Sequence, residues 1–85
     1  MDKETITCML NNSIWNCPEK KAIYKFVEGN ILFVNGKNHF QYSINSHKDK
    51  IELQIGSEKT YNIEFVNDFI LRVFNNNESF RIMPE

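Results

Sequence analysis

The sequence predicts an all-β protein, an eight-stranded antiparallel meander closing into a small barrel behind one short helix. Three observations carry that reading. From Ser13 onward, apolar and polar residues alternate with a period of two, the mark of strands with one dry and one wet face. Turn residues such as Asn35-Gly36 and Asn76-Asn77 break these runs at near-regular spacing. A run of short sequential strands also leaves two unpaired edges unless the first and last meet, so closure is expected.

The helix comes first. Only the opening ten residues follow the helical period, with Ile6, Met9 and Leu10 on one face. Asp2 is placed to cap its start, Glu4 suits the first turn, and Asn11-Asn12 can end it. So short a helix is unstable alone, so its apolar stripe must rest on the sheet.

Strands are expected at 13–17, 22–28, 31–34, 38–45, 50–56, 59–66, 69–74 and 78–83. The first three carry Trp15, then Tyr24 and Phe26, then Ile31 and Phe33 to the inside. Phe40, Tyr42 and Ile44 follow, then Ile51, Leu53 and Ile55, then Tyr61, Ile63 and Phe65. Leu71, Val73, Phe80 and Ile82 complete the inner face.

Residues facing each other across a ladder must share a face, and this tests the turns. A two-residue turn at Asn35-Gly36 sets Ile31 against Phe40. A four-residue loop from Ser46 to Asp49 sets Ile44 against Ile51. A two-residue turn at Asn76-Asn77 sets Val73 against Phe80 and Leu71 against Ile82. At Asn67-Asp68 a two-residue turn would set Ile63 against Arg72. A three-residue loop, Asn67 to Phe69, instead pairs Phe65 with Leu71 and Glu64 with Arg72, so an odd loop or bulge is expected. Strand 69–74 is apolar on both faces. Its outer residues, Ile70 and Phe74, need cover from the helix or a partner, and they are the candidate interface of a homo-oligomer.

At 85 residues the chain makes one domain, 1–85. Its seven Phe, three Tyr and one Trp are a way to build a core in a short chain. A net charge of -1 offers no basic face, which argues against a nucleic-acid partner. There is no apolar run of the ~18 residues that a membrane span requires. "MDKETITCML" lacks the apolar stretch of a signal peptide, so a cytoplasmic location is expected for the chain as given; an exported form freed of its leader stays open.

No enzymatic chemistry, metal or cofactor is expected. His39 falls on the polar face of its strand and His47 in a turn, without metal-ligand spacing. Ser46, His47 and Asp49 are too close in sequence to form a triad. Glu52, Glu64, Arg72 and Arg81 read as outer-face residues that pair across strands. Cys8 and Cys17 read as small buried or half-buried residues, with a disulfide between them and a reactive thiol as alternatives. The many Asn residues suit turns, and a polar recognition rim is the sharper alternative. Tyr24, Tyr42 and Tyr61 bring hydroxyls to the inner face. Converging at one mouth they would orient a ligand; at the rim they would meet water.

The stretches "LNNSIWNC", "YKFVEGNILFVNGKNHFQYSI", "KIELQI", "TYNIEFVND" and "ESFRI" resemble small bacterial lipocalin-like domains. That family opens on a Leu-x-Gly-x-Trp-like segment; here Asn12 or Ser13 stands at the Gly position. The resemblance implies that Trp15 closes the barrel base beneath a cavity. It also implies a non-enzymatic binding module whose ligand is a small apolar molecule or a protein, with Trp15, Tyr24, Tyr42 and Tyr61 as candidate binding residues. The alternative is a structural or protein-interaction subunit (an oligomer former, inhibitor or immunity-type protein) with a filled core.

Overall fold

In a computed structural model, which describes residues 3–67 and 69–85, the first and last strands meet. Helix α1 (Lys3–Asn11) leads into β1 (Ile14–Cys17), β2 (Ala22–Val27), β3 (Ile31–Val34) and β4 (Asn38–His47). Then follow β5 (Lys50–Ile55), β6 (Lys59–Asn67), β7 (Ile70–Phe74) and β8 (Ser79–Pro84). Each strand pairs antiparallel with the next, and β1 pairs with β8 to close the barrel. The closing ladder is short: Trp15 faces Pro84, Asn16 faces Met83, and the Glu85 N–H donates to the Ile14 carbonyl at 2.8 Å.

The alternation does what its period requires. Phe26, Tyr42, Ile44, Ile51, Leu53, Tyr61, Ile63, Leu71, Val73, Phe80 and Ile82 are all buried, and Cys17 joins Trp15 inside. The stripe on α1 packs onto this core, with Ile6 and Leu10 buried and Met9 half-buried against it. The Asp2 cap lies outside the described residues. The Leu10 carbonyl, left free where α1 ends, accepts the indole N–H of Trp15 at 3.1 Å. Trp15 is 1% exposed, so this bond satisfies two polar groups that water cannot reach. Cys8 is exposed on α1 and Cys17 buried in the barrel, both as free thiols.

Two expected registers hold. Val73 faces Phe80 and Leu71 faces Ile82 across the Asn76-Asn77 turn. Phe65 faces Leu71, Glu64 faces Arg72, and the ladder then shifts so that Asn67 faces Ile70, leaving Val66 as the extra residue of a bulge. Glu64 and Arg72 form the outer ion pair at 2.5 Å.

Two others do not hold. Asn35 and Gly36 have φ of 56° and 71°, as a type I′ turn needs, and the Lys37 N–H reaches the Val34 carbonyl at 3.3 Å. The ladder, however, resumes with Val34 against Asn38, so Lys37 is an extra residue. That single insertion inverts β3. Leu32 is buried opposite Phe40, while Ile31 and Phe33 turn to the outer face and are half-buried. Asn35 explains why β3 is held there: its Oδ1 accepts the Ile23 N–H and its own N–H donates to the Ile23 carbonyl, both at 2.8 Å. Between β4 and β5 the turn is only Lys48-Asp49. Lys48 adopts a φ of 57°, and Ile44 faces Leu53 rather than Ile51. The slip is two residues, so every face is preserved. His47 accordingly ends β4 instead of sitting in the turn.

Two inward assignments end up exposed, and two more, Tyr24 and Ile55, are half-buried. Phe40 is 42% exposed because it lines an open end of the barrel, and Phe65 is 39% exposed beside the bulge. With Val66 and the strongly exposed Phe69 it forms an apolar tip at the β6–β7 connection. Ile70 and Phe74 are half-buried, and the Arg72 guanidinium covers the Phe74 ring at 4.1 Å from its centroid.

Replacing Trp15 by Phe keeps the ring but strands the Leu10 carbonyl. The expected loss is about 1–3 kcal/mol, read from urea midpoints at unchanged slope. Gly36→Ala, at a positive φ in open space, is expected to cost about 1 kcal/mol by the same measurement.

Candidate functional site: an aromatic mouth opposite the helix

In an up-and-down barrel alternate connections share an end. Loops 18–21, 35–37, 56–58 and 75–78 therefore gather opposite α1. A pocket of about 340 Å³ opens among them, walled by Tyr24, Leu32, Phe40, Ile55, Tyr61 and Phe80. Phe80 is its centre: the Tyr24 ring lies 6.3 Å away at 31°, and the Tyr61 ring 5.7 Å away, nearly perpendicular at 77°.

The rim is charged. Lys20 extends from the β1–β2 turn over the Phe80 ring, its Nζ 4.3 Å from the centroid and 2.5 Å from Glu78 Oε1. The Tyr61 hydroxyl donates to the other oxygen, Glu78 Oε2, at 3.1 Å. Glu58 and Lys59 stand on the β5–β6 side of the same opening.

Local chemistry holds both loops in place. Glu19 Oε2 accepts the Arg81 N–H at 2.8 Å, tying the turn that carries Lys20 to β8. Asn75 Oδ1 accepts the N–H groups of Asn77 at 2.8 Å and Glu78 at 3.0 Å, an Asx arrangement. Its Nδ2 donates to the Thr60 carbonyl at 3.2 Å, fixing the Glu78 loop on β6. The first Asn of the Asn75–Asn77 cluster is thus a turn builder.

Burial raises the phenol pKa of Tyr24 to about 12, helped by the charges of Cys17 and Glu78. Burial, with the neighbouring Glu78 carboxylate, lifts Tyr61 to about 12 as well. The hydrogen bond from Lys20 holds Glu78 below the usual carboxylate range. At neutral pH the mouth therefore presents neutral phenols, an ionised carboxylate and an ammonium around apolar walls. Such a site can bind an apolar body and a polar head. Among the described residues no three His, Cys, Asp or Glu side chains come together as metal ligands.

The structure brings Tyr24 and Tyr61 into this mouth and separates them from Trp15 and Tyr42. Tyr42 belongs to the helix end, where its hydroxyl donates to Asn11 Oδ1 at 3.1 Å and its ring meets Phe26 edge-on at 5.1 Å. Trp15 lies beneath Leu10 and also borders a groove between α1 and the β1–β8 end, with Cys8, Met9, Phe69 and Pro84. Ile70 and Phe74 stay on the outer wall and line neither opening. Sequence reasoning missed Lys20 and Glu78 as site residues and placed Phe40 and Phe80 only in the core. Loop parity was the signal that could have joined them.

The raised phenols have a signed consequence. A Tyr whose folded pKa exceeds its ordinary value near 10 favours the fold while protonated, so its contribution is complete below pH 10 and fades toward 12. Phenolate absorbance of the folded protein should rise late, with a midpoint well above that of the unfolded chain, and urea midpoints should fall between pH 10 and 12. Simultaneous titration of folded and unfolded chains would contradict the burial.

No family model, curated protein or solved structure matches this chain.

Proposed function

We propose that this protein is a non-enzymatic, lipocalin-like binding module that takes one small molecule with an apolar body into the mouth opposite α1. The observation that carries this reading is the pocket of about 340 Å³ walled by Tyr24, Phe40, Tyr61 and Phe80. It lies in the range of ligand pockets, about 300–1,000 Å³, and has their usual make-up of apolar walls with a few placed polar groups. The other end of the barrel is plugged by Ile6, Leu10 and Trp15, so the mouth is the natural approach to the interior. Trp15 and Tyr42 support the cup from below, and Tyr24 and Tyr61 touch the ligand.

Titration with indole, followed by backbone amide shifts, tests it. Saturable shifts should concentrate on residues around Tyr24, Phe40, Tyr61 and Phe80. Phe40→Ser should preserve the spectrum of the fold, since the ring is already partly in solvent, and weaken binding about tenfold by removing apolar contact area. Non-saturating or scattered shifts would reject the reading.

A second reading, a structural or protein-interaction subunit, has its own observation. Phe65, Val66 and Phe69 are exposed together at the β6–β7 connection, and such clusters mark interfaces. It moves the expected contact from Ile70 and Phe74 to the adjoining tip. Light scattering over a wide concentration range should then show association that Phe69→Ser abolishes.

A further inference from the structure

Lys20 is an occupant of the mouth as well as part of its rim. Its stem reaches in from the β1–β2 turn, and its ammonium rests on the Phe80 ring face, 4.3 Å from the centroid. The same ammonium is 2.5 Å from Glu78 Oε1, and the Tyr61 hydroxyl steadies Glu78 through Oε2 at 3.1 Å. An aromatic face and an oriented carboxylate, converging on one point, are the two elements that recognise an alkylammonium group. The point is already filled by such a group, supplied by the protein itself.

We propose that the mouth recognises small amines carrying an apolar, preferably aromatic, body, and that Lys20 is an internal competitor that a ligand ammonium displaces from Phe80 and Glu78. This rests on the binding-module reading and names its ligand class.

The charge balance favours a cation over an anion. With Lys20 in place, Lys20 and Lys59 face Glu58 and Glu78 around the opening. When Lys20 swings into solvent, Lys59 is the one cation left lining the pocket among the described residues, and the vacated position lies beside the Glu78 carboxylate. A ligand carboxylate entering there would meet Glu78 directly, whereas an ammonium would replace like with like. The volume agrees: a pocket of about 340 Å³ has room for a ring-sized body among Tyr24, Leu32, Phe40 and Ile55, with its amine at the rim. The turn holding Lys20 is fixed by the Glu19–Arg81 contact, so displacement needs only side-chain rotation, leaving the barrel intact.

Benzylammonium and its neutral analogue benzyl alcohol make the test, titrated at neutral pH against the full chain and followed by amide shifts. Three proteins are compared: the unaltered chain, Lys20→Met, and Lys20→Met with Glu78→Gln. Both positions lie in rim loops, and retained amide dispersion checks the fold. Lys20→Met keeps the apolar stem and removes the competing charge. It should tighten benzylammonium about tenfold and raise its preference over benzyl alcohol. Adding Glu78→Gln should return that preference close to unity while benzyl alcohol still binds. An amine preference unchanged by Lys20→Met, or unaffected by Glu78→Gln, overturns the amine assignment and leaves the binding module standing. Absence of saturable binding by either probe in all three proteins overturns both.

Discussion

The Trp15–Leu10 contact is the constraint on which the rest of the molecule depends. A barrel of short strands has two ends and too few residues to fill both. Here one end is shut by α1, whose Ile6 and Leu10 are buried against the strands, and the shut end is locked where the last helical carbonyl meets a buried indole N–H. Neither partner has water as an alternative, so the helix end and β1 are specified together. With that end sealed, the opening lies at the other, where Tyr24, Phe40, Tyr61 and Phe80 form its walls. The candidate site is the complement of the plug.

Much of this was legible in the residues. A period of two identifies strands because a pleat alternates faces, and it placed Tyr42, Ile44, Leu53, Tyr61, Ile63, Leu71, Val73, Phe80 and Ile82 inside without reference to any neighbour. The irregular β6–β7 connection was legible too, because a two-residue turn at Asn67-Asp68 would have forced Arg72 against the inward Ile63, and the Glu64–Arg72 pairing needed an odd loop or a bulge. What failed was β3. Its four residues, Ile31 to Val34, are all apolar, so the strand has no polar face to declare its own orientation. Its orientation had to come from the turn, and the unpaired Lys37 after Asn35-Gly36 reversed it. Leu32 became core and its two neighbours became wall. The β4–β5 slip was harmless by contrast, because an even displacement returns each side chain to its own face.

The site was less legible than the fold, for a physical reason. Tyr24 and Tyr61 were visible as polar tips on the inner face, but convergence is a property of ends, and ends depend on which loops lie together. Lys20, Glu58 and Glu78 belong to three separate turns and are ordinary charged loop residues when read singly. Only the alternation of connections puts them on one rim, and only side-chain geometry puts the Lys20 ammonium on Phe80. Tyr42 resembles Tyr24 in sequence context and belongs to the opposite end, because β4 is long enough to serve β3 with its first residues and β5 with its last.

The ladder between β1 and β8 has a mechanical consequence. It joins the strands through two facing positions, against six between β4 and β5. A cylinder held by unequal joints breathes first at the weakest, so opening fluctuations should begin where the N- and C-terminal strands touch. The Lys20–Glu78 and Glu19–Arg81 contacts both bridge from the β1–β2 turn to the β7–β8 side, across the upper margin of that joint. They act as a clasp on the least secured edge of the wall. Any molecule that draws Lys20 away would loosen the clasp as it enters, making the cup more compliant while it is being filled.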